Sequence, residues 1–265
     1  MPAWLILTML LISACETFTE WPLQPESDTR LVVEAILTDE RIHQEMRLSK
    51  SYAGINDSVP GVADAEIEVE ANGVSYRFLP DPSEAGLYRS QEPFKVLDQL
   101  LYKLTIHWQD SVYTASSELS FVGPLPRIRF QKHPRRDSMA LGDVGNIFST
   151  SQQAMYEVNI DWSHLVNDSL ARARMFYYTF SSVHISELIR PSRERIWFPT
   201  GSIVIVKKFG LNDDFADYLR AMAIETDWNG TFYYTDSGNL PTNISSDGIG
   251  FFSTCAVLSD TLIAE

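Results

Sequence analysis

Five histidines, two cysteines and 35 carboxylates are the groups of this 265-residue chain that could do acid–base, nucleophilic or metal chemistry. Their spacing argues against most of it. His43, His107, His133, His164 and His184 are scattered, and none stands three to five residues from another, the separation that turns two imidazoles toward one metal. No His-Glu-x-x-His, Gly-x-Ser-x-Gly, Gly-x-x-x-x-Gly-Lys or Gly-x-Gly-x-x-Gly occurs. Asp213, Asp214 and Asp217 stand where a helix begins and serve the positive end of its dipole, rather than forming a glycosidase acid/base pair. Asp227-Trp228-Asn229-Gly230 and Asp236-Ser237-Gly238-Asn239, with Asp247 nearby, are oxygen-rich turns without the spacing and terminal Glu of a helix–loop–helix calcium site. The expectation is a chain with no catalytic residue, no resident metal and no cofactor beyond a covalent lipid.

Binding chemistry is better represented. Lys and Arg number 21 against 35 Asp and Glu, a net charge of -14 that argues against a nucleic-acid partner. Against that acidic background Arg127, Arg129, Lys132, Arg135 and Arg136, with His133 among them, crowd ten residues. Such a strip either balances the acidic remainder or docks an acidic partner loop or lipid phosphates. A second candidate surface is aromatic. Trp228, Tyr233 and Tyr234, with Phe232, flank the Asn229-Gly230 turn, and Trp197-Phe198 precede Pro199. These residues serve either as core or as a ligand-facing platform for sugars or peptides.

The elements that must position these groups begin after an address. Ala3–Ala14 is an uncharged apolar run, too short to span a bilayer but of the length of a signal-peptide core, and Cys15 follows it directly. Ile12-Ser13-Ala14-Cys15 resembles the lipobox of bacterial lipoproteins, which implies cleavage after residue 14 and a diacylated thiol on Cys15. Met1-Pro2 supplies no Lys or Arg where such peptides begin basic, which points to a native start upstream. Residues 15–29 then read as a polar tether. Two or three acyl chains at about 0.8 kcal/mol per buried CH₂ give stable anchoring. Cys255, in the apolar run Phe251–Leu258, reads as a buried thiol on a core strand.

From Arg30 the pattern is β. Hydrophobic residues at 45% and aromatics at 12% supply a core. Ala65, Ile67 and Val69 alternate with Glu66, Glu68 and Glu70. After Asn72-Gly73, Val74, Tyr76 and Phe78 alternate with Ser75 and Arg77. A type I′ turn there predicts Val69 opposite Tyr76, Ile67 opposite Phe78 and Glu68 opposite Arg77. Tyr102–Trp108 turns at Gln109-Asp110 into Ser111–Ser116. The short strands predict an immunoglobulin- or transthyretin-like β-sandwich over residues 30–122. Phe121–Pro126 is the expected boundary, and 123–265 reads as a second β-rich module. That module opens on a polar stretch to about Gln153, continues in strands near Tyr156–Trp162, Arg174–Ile185 and Ser202–Phe209, and carries one amphipathic helix over 212–226 capped by Asn212. Five Asp-Ser/Thr-apolar triplets, such as Asp57-Ser58-Val59 and Asp110-Ser111-Val112, look like bacterial O-glycosylation motifs.

In order, the lipobox, Leu31–Ala35, the Asn72-Gly73 hairpin, Tyr102–Ile106 with Tyr113–Ala115, the helix of 212–225, and Gly238–Ile244 leading to Gly248–Phe252 resemble the "domain of unknown function 4249" lipoproteins of the Bacteroidota envelope. The resemblance covers nearly all of the chain from Cys15. It implies a lipid-anchored outer-membrane protein on the periplasmic or cell-surface face, often encoded beside a TonB-dependent transporter, and no catalytic residues. The expected function is therefore an accessory or binding subunit of such a transporter. The alternative is a structural or adhesive envelope protein bound to another envelope complex.

Overall fold

The computed structural model describes residues 29–51, 60–166, 171–182, 195–226 and 240–265. In the first module, β1 (Leu31–Thr38), β2 (Glu45–Lys50), β3 (Glu66–Ala71), β4 (Val74–Pro80), β5 (Leu87–Ser90), β6 (Leu101–Trp108) and β7 (Ser111–Glu118) follow the period-two pattern closely. Asn72 and Gly73 have φ of 49° and 76°, the left-handed pair a type I′ turn requires. The hairpin then pairs Val69 with Tyr76, Ile67 with Phe78 and Glu68 with Arg77, as alternation predicts. Inward residues from every strand, including Leu31, Val33, Met46, Leu48, Val69, Tyr102, Leu104 and Ile106, form one buried cluster between the faces of the sandwich.

That sheet is completed from the far end of the chain. β14 (Ile249–Cys255) lies parallel to β1 in the register Val32–Ile249 to Thr38–Cys255, giving the strand order β14-β1-β2-β5-β4-β3-β6-β7. Its two ends then meet: Ser120 N donates to Thr254 O at 3.1 Å, and Ala256 N donates to Ser120 O at 2.9 Å. The Asn243 side chain fills the remaining gap, its amide donating to Phe252 O and its carbonyl accepting from Phe252 N. The first module is thus not the uninterrupted stretch 30–122. Without β14, β1, whose Leu31, Val33, Ala35 and Leu37 are buried, would present an unpaired ladder edge to water.

The second module is two layers. β8 (Phe130–Lys132), β9 (Ser138–Leu141) and β12 (Trp197–Pro199) make a three-stranded sheet in the order β12-β9-β8. β10 (Gln153–Asp161), β11 (Arg172–Thr179), β13 (Ile203–Leu211) and β15 (Val257–Ile263) make a four-stranded sheet in the order β11-β10-β13-β15. Met139, Leu141 and Phe198 of the first pack on Tyr156, Val158, Ile160, Val204 and Val206 of the second. The stretch expected to be merely polar up to Gln153 therefore holds a hairpin, with strands of three and four residues that are too short to show a period. Likewise Phe251–Leu258 is not one strand but two: the chain changes sheets at Ala256, between β14 and β15.

α1 (Asp213–Thr226) starts where Asn212 Oδ1 accepts the Phe215 N–H at 2.8 Å. Its Phe215, Ala216 and Leu219 pack against Met155, Phe209 and Leu211 on one side and Phe251 and Cys255 of β14 on the other. The helix is a wedge between modules. No helix among the described residues is long and apolar enough to cross a membrane.

A candidate docking surface

Along the basic strip, Ile128 and Phe130 turn toward the core of the second module, and Arg127, Arg129 and Gln131 between them are exposed. Lys132 follows them on the edge strand β8. Arg135 and Arg136 stand exposed in the turn to β9, a turn held by Thr200 Oγ1 donating to Asp137 Oδ1 at 2.7 Å. None of the five cations forms an ion pair with a described residue. Several arginines elsewhere do find carboxylates: Arg47 with Glu84 at 2.6 Å, Arg172 with Asp161 at 2.9 Å, Arg174 with Glu157 at 2.9 Å and Arg89 with Glu45 at 2.8 Å. Arg41, Arg77, Lys95 and Lys103 also form no ion pair with a described residue, but they are scattered, whereas the strip gathers five such cations within ten residues.

An aromatic joins the same face. Trp197 on β12 is 37% exposed, with the His133 ring edge-on at 4.6 Å and the Arg195 guanidinium over it at 5.8 Å. Phe198 beside it is buried, so of that pair one residue is surface and one is core. Sequence spacing alone does not join Trp197 to His133; the β8-β9-β12 ladder does.

Another cation on this module is buried. Lys208, 6% exposed, gives its ammonium to Gly123 O and Pro124 O at 3.0 Å each and to Gln152 Oε1 at 3.2 Å, and lies over the Tyr156 ring. Burial pushes its pKa below the ordinary lysine value. Gln152 also accepts from Gly123 N and donates to Phe121 O, so the expected linker is clamped backbone. Gly210 belongs to the same clamp, since a Cβ there would lie 1.9 Å from Phe121 O. Alternation through Val204 and Val206 points position 208 inward, and that was the available sequence signal for a buried lysine.

Cys255 is fully buried and its thiol is pushed up to about 12 by desolvation, which leaves it unreactive. Cys15 lies outside the described residues, as do Trp228, Tyr233, Tyr234 and the turns at 227–230 and 236–239. Among the described residues no group of three or more His, Cys, Asp or Glu is placed to hold a metal. A cleft of about 530 Å³ runs beside β6 and β7 and is lined by Leu101, Lys103, Thr105, Thr114, Thr242 and Asn243. It follows the seam that closes the first module.

Among the described residues the structure thus defines a two-module, mainly β chain with one interposed helix and a basic surface without ion pairs. The chain belongs to the family described as Domain of unknown function (DUF4249), whose model matches residues 19–261. No curated protein matches it. Among solved structures it is similar to a two fibronectin type-III domain segment from chicken tenascin, at 10% identity over 70% of this chain and 92% of that one, with a TM-score of 0.21. A second is the chicken CNTN1 FN1–FN3 segment, at 10% identity over 68% and 60%, with a TM-score of 0.21.

Proposed function

We propose that this protein is an outer-membrane lipoprotein, anchored through an acylated Cys15, that works by binding as an accessory subunit of a TonB-dependent transporter. The observation that carries the binding role is the basic strip. A chain with fourteen more acidic than basic side chains leaves five exposed cations without carboxylate partners among the described residues. Self-repulsion and the abundance of acid would favour pairing them, so their isolation suits a partner that brings the acid. The anchor rests on Ile12-Ser13-Ala14-Cys15. Burial of Cys255 leaves Cys15 as the thiol for acylation.

Metabolic labelling tests the anchor: wild type should take up labelled palmitate and Cys15→Ser should not. A mutant that still partitions fully into detergent would refute it. A detergent pull-down through the C-terminus, read by mass spectrometry, tests the partner. Recovery of an outer-membrane transporter supports the reading, whereas recovery of secretion or adhesion components supports a structural role.

A further inference from the structure

We infer that the outer edge of β8 receives an extended acidic polypeptide segment, which adds a fourth strand to the β12-β9-β8 sheet. The inference deepens the binding role, but requires only an acidic extended segment and not a transporter. Two independent features coincide here. The first is backbone. Gly142 N donates to Arg129 O, and His133 N to Ser138 O, both at 2.8 Å. In an antiparallel ladder such pairs recur every second residue, so the N–H and C=O of Phe130 and Lys132 point away from β9. β8 ends its sheet, and these groups have no hydrogen bond to a described residue. The second feature is charge. Arg127, Arg129, Lys132, Arg135 and Arg136 line that same edge and its turn, so a strand arriving there meets backbone groups and cations that are paired with no described residue. Main-chain bonds would supply affinity and the cations the choice of partner.

Edge strands are often blunted by a lysine or by brevity. Blunting needs one or two charges, and the other arginine-bearing edge, β11, has its Arg172 and Arg174 neutralised by β10 carboxylates. A lipid surface fits less well. The tether enters at Leu31, the end of β1 remote from the second module, since the other end pairs with Cys255 where the chain crosses over. The Arg135–Arg136 turn lies by Thr200, and Gly201 N bonds Ala264 O at the end of the four-stranded sheet remote from that crossing. Leu31, where β1 begins, and the turn are thus at opposite ends of the described residues.

The test uses the purified full chain carrying Cys15→Ser and a peptide of about eight residues alternating Glu with Val or Thr, the length of an ordinary strand. A twin peptide is N-methylated at alternate residues on either register, and mixed phosphatidylcholine–phosphatidylglycerol vesicles form the third probe. The plain peptide should bind and slow amide exchange at Phe130 and Lys132, and the N-methylated twins should bind about tenfold more weakly. Lys132→Pro, which deletes an outward N–H and no bond to β9, should weaken binding about tenfold beyond Lys132→Gln, which deletes only the charge. If Lys132→Pro fails to fold, the N-methylated arm on the unsubstituted chain decides. Equal binding of plain and methylated peptides, or binding to vesicles but not to peptide, would overturn the inference. Because no transporter is present, failure here leaves the pull-down result standing.

Discussion

Lys208 and the strip from Arg127 to Arg136 show two opposite treatments of positive charge on one module. Lys208 is removed from water and given three oxygens, two by the backbone of the segment that links the modules and one by the Gln152 side chain. The strip stays in water and is given no acid by any described residue. A buried cation holds its surroundings in place, because leaving its acceptors empty costs the desolvation already spent on them. An exposed, unpaired cation contributes almost nothing to folding. The difference separates charge that builds the junction from charge available to a partner.

The largest effect is expected from cutting the junction itself. Residues 29–122 expressed alone lack β14 and the Asn243 seam, so they should show no cooperative unfolding. Supplying 240–256 by circular permutation should restore it. A cooperative melt of the bare fragment would mean that the return strand adds little. Next comes Gly210→Ala, whose methyl would collide with the Phe121 carbonyl. It should cost about 3 kcal/mol by denaturant titration, since a backbone atom must move.

Lys208→Met should cost about 2 kcal/mol at neutral pH, and the comparison sharpens with alkali. Burial holds the folded pKa of Lys208 below its ordinary value, so between the two values the unfolded chain binds more protons than the folded one. The contribution of Lys208 to stability therefore rises with pH over that window. The gap between wild type and Lys208→Met, read from paired urea titrations at increasing pH, should widen up to the ordinary lysine value. A gap that narrows would place the cation in a stabilising environment.

Much of this contrast was half legible in sequence. The β3–β4 hairpin could be read residue by residue because alternation and an Asn-Gly turn fix the register independently, and the helix start could be read from Asn212 and the two aspartates after it. The strip was visible as composition. Its isolation was not, because whether a carboxylate faces Arg129 depends on which strands lie beside β8. The β1–β14 pairing left no local trace at all: a parallel pairing between Val32 and Ile249 is set by which buried strand lacks a neighbour, not by anything near either residue. β8 and β9 were lost to their shortness.

The smallest expected effect on folding, and the most direct test of the central claim, comes from Arg135→Glu with Arg136→Glu. Both residues are exposed, so stability should change by no more than about 0.5 kcal/mol. Co-purification of the proposed envelope partner through the C-terminus should nevertheless fall, and wild-type recovery should itself decline as salt passes through roughly 0.15 M, where charges are screened beyond about 8 Å. The double variant should stay folded and recover clearly less partner at every salt concentration below that point. Equal recovery of the partner by wild type and variant at all salt concentrations would contradict it.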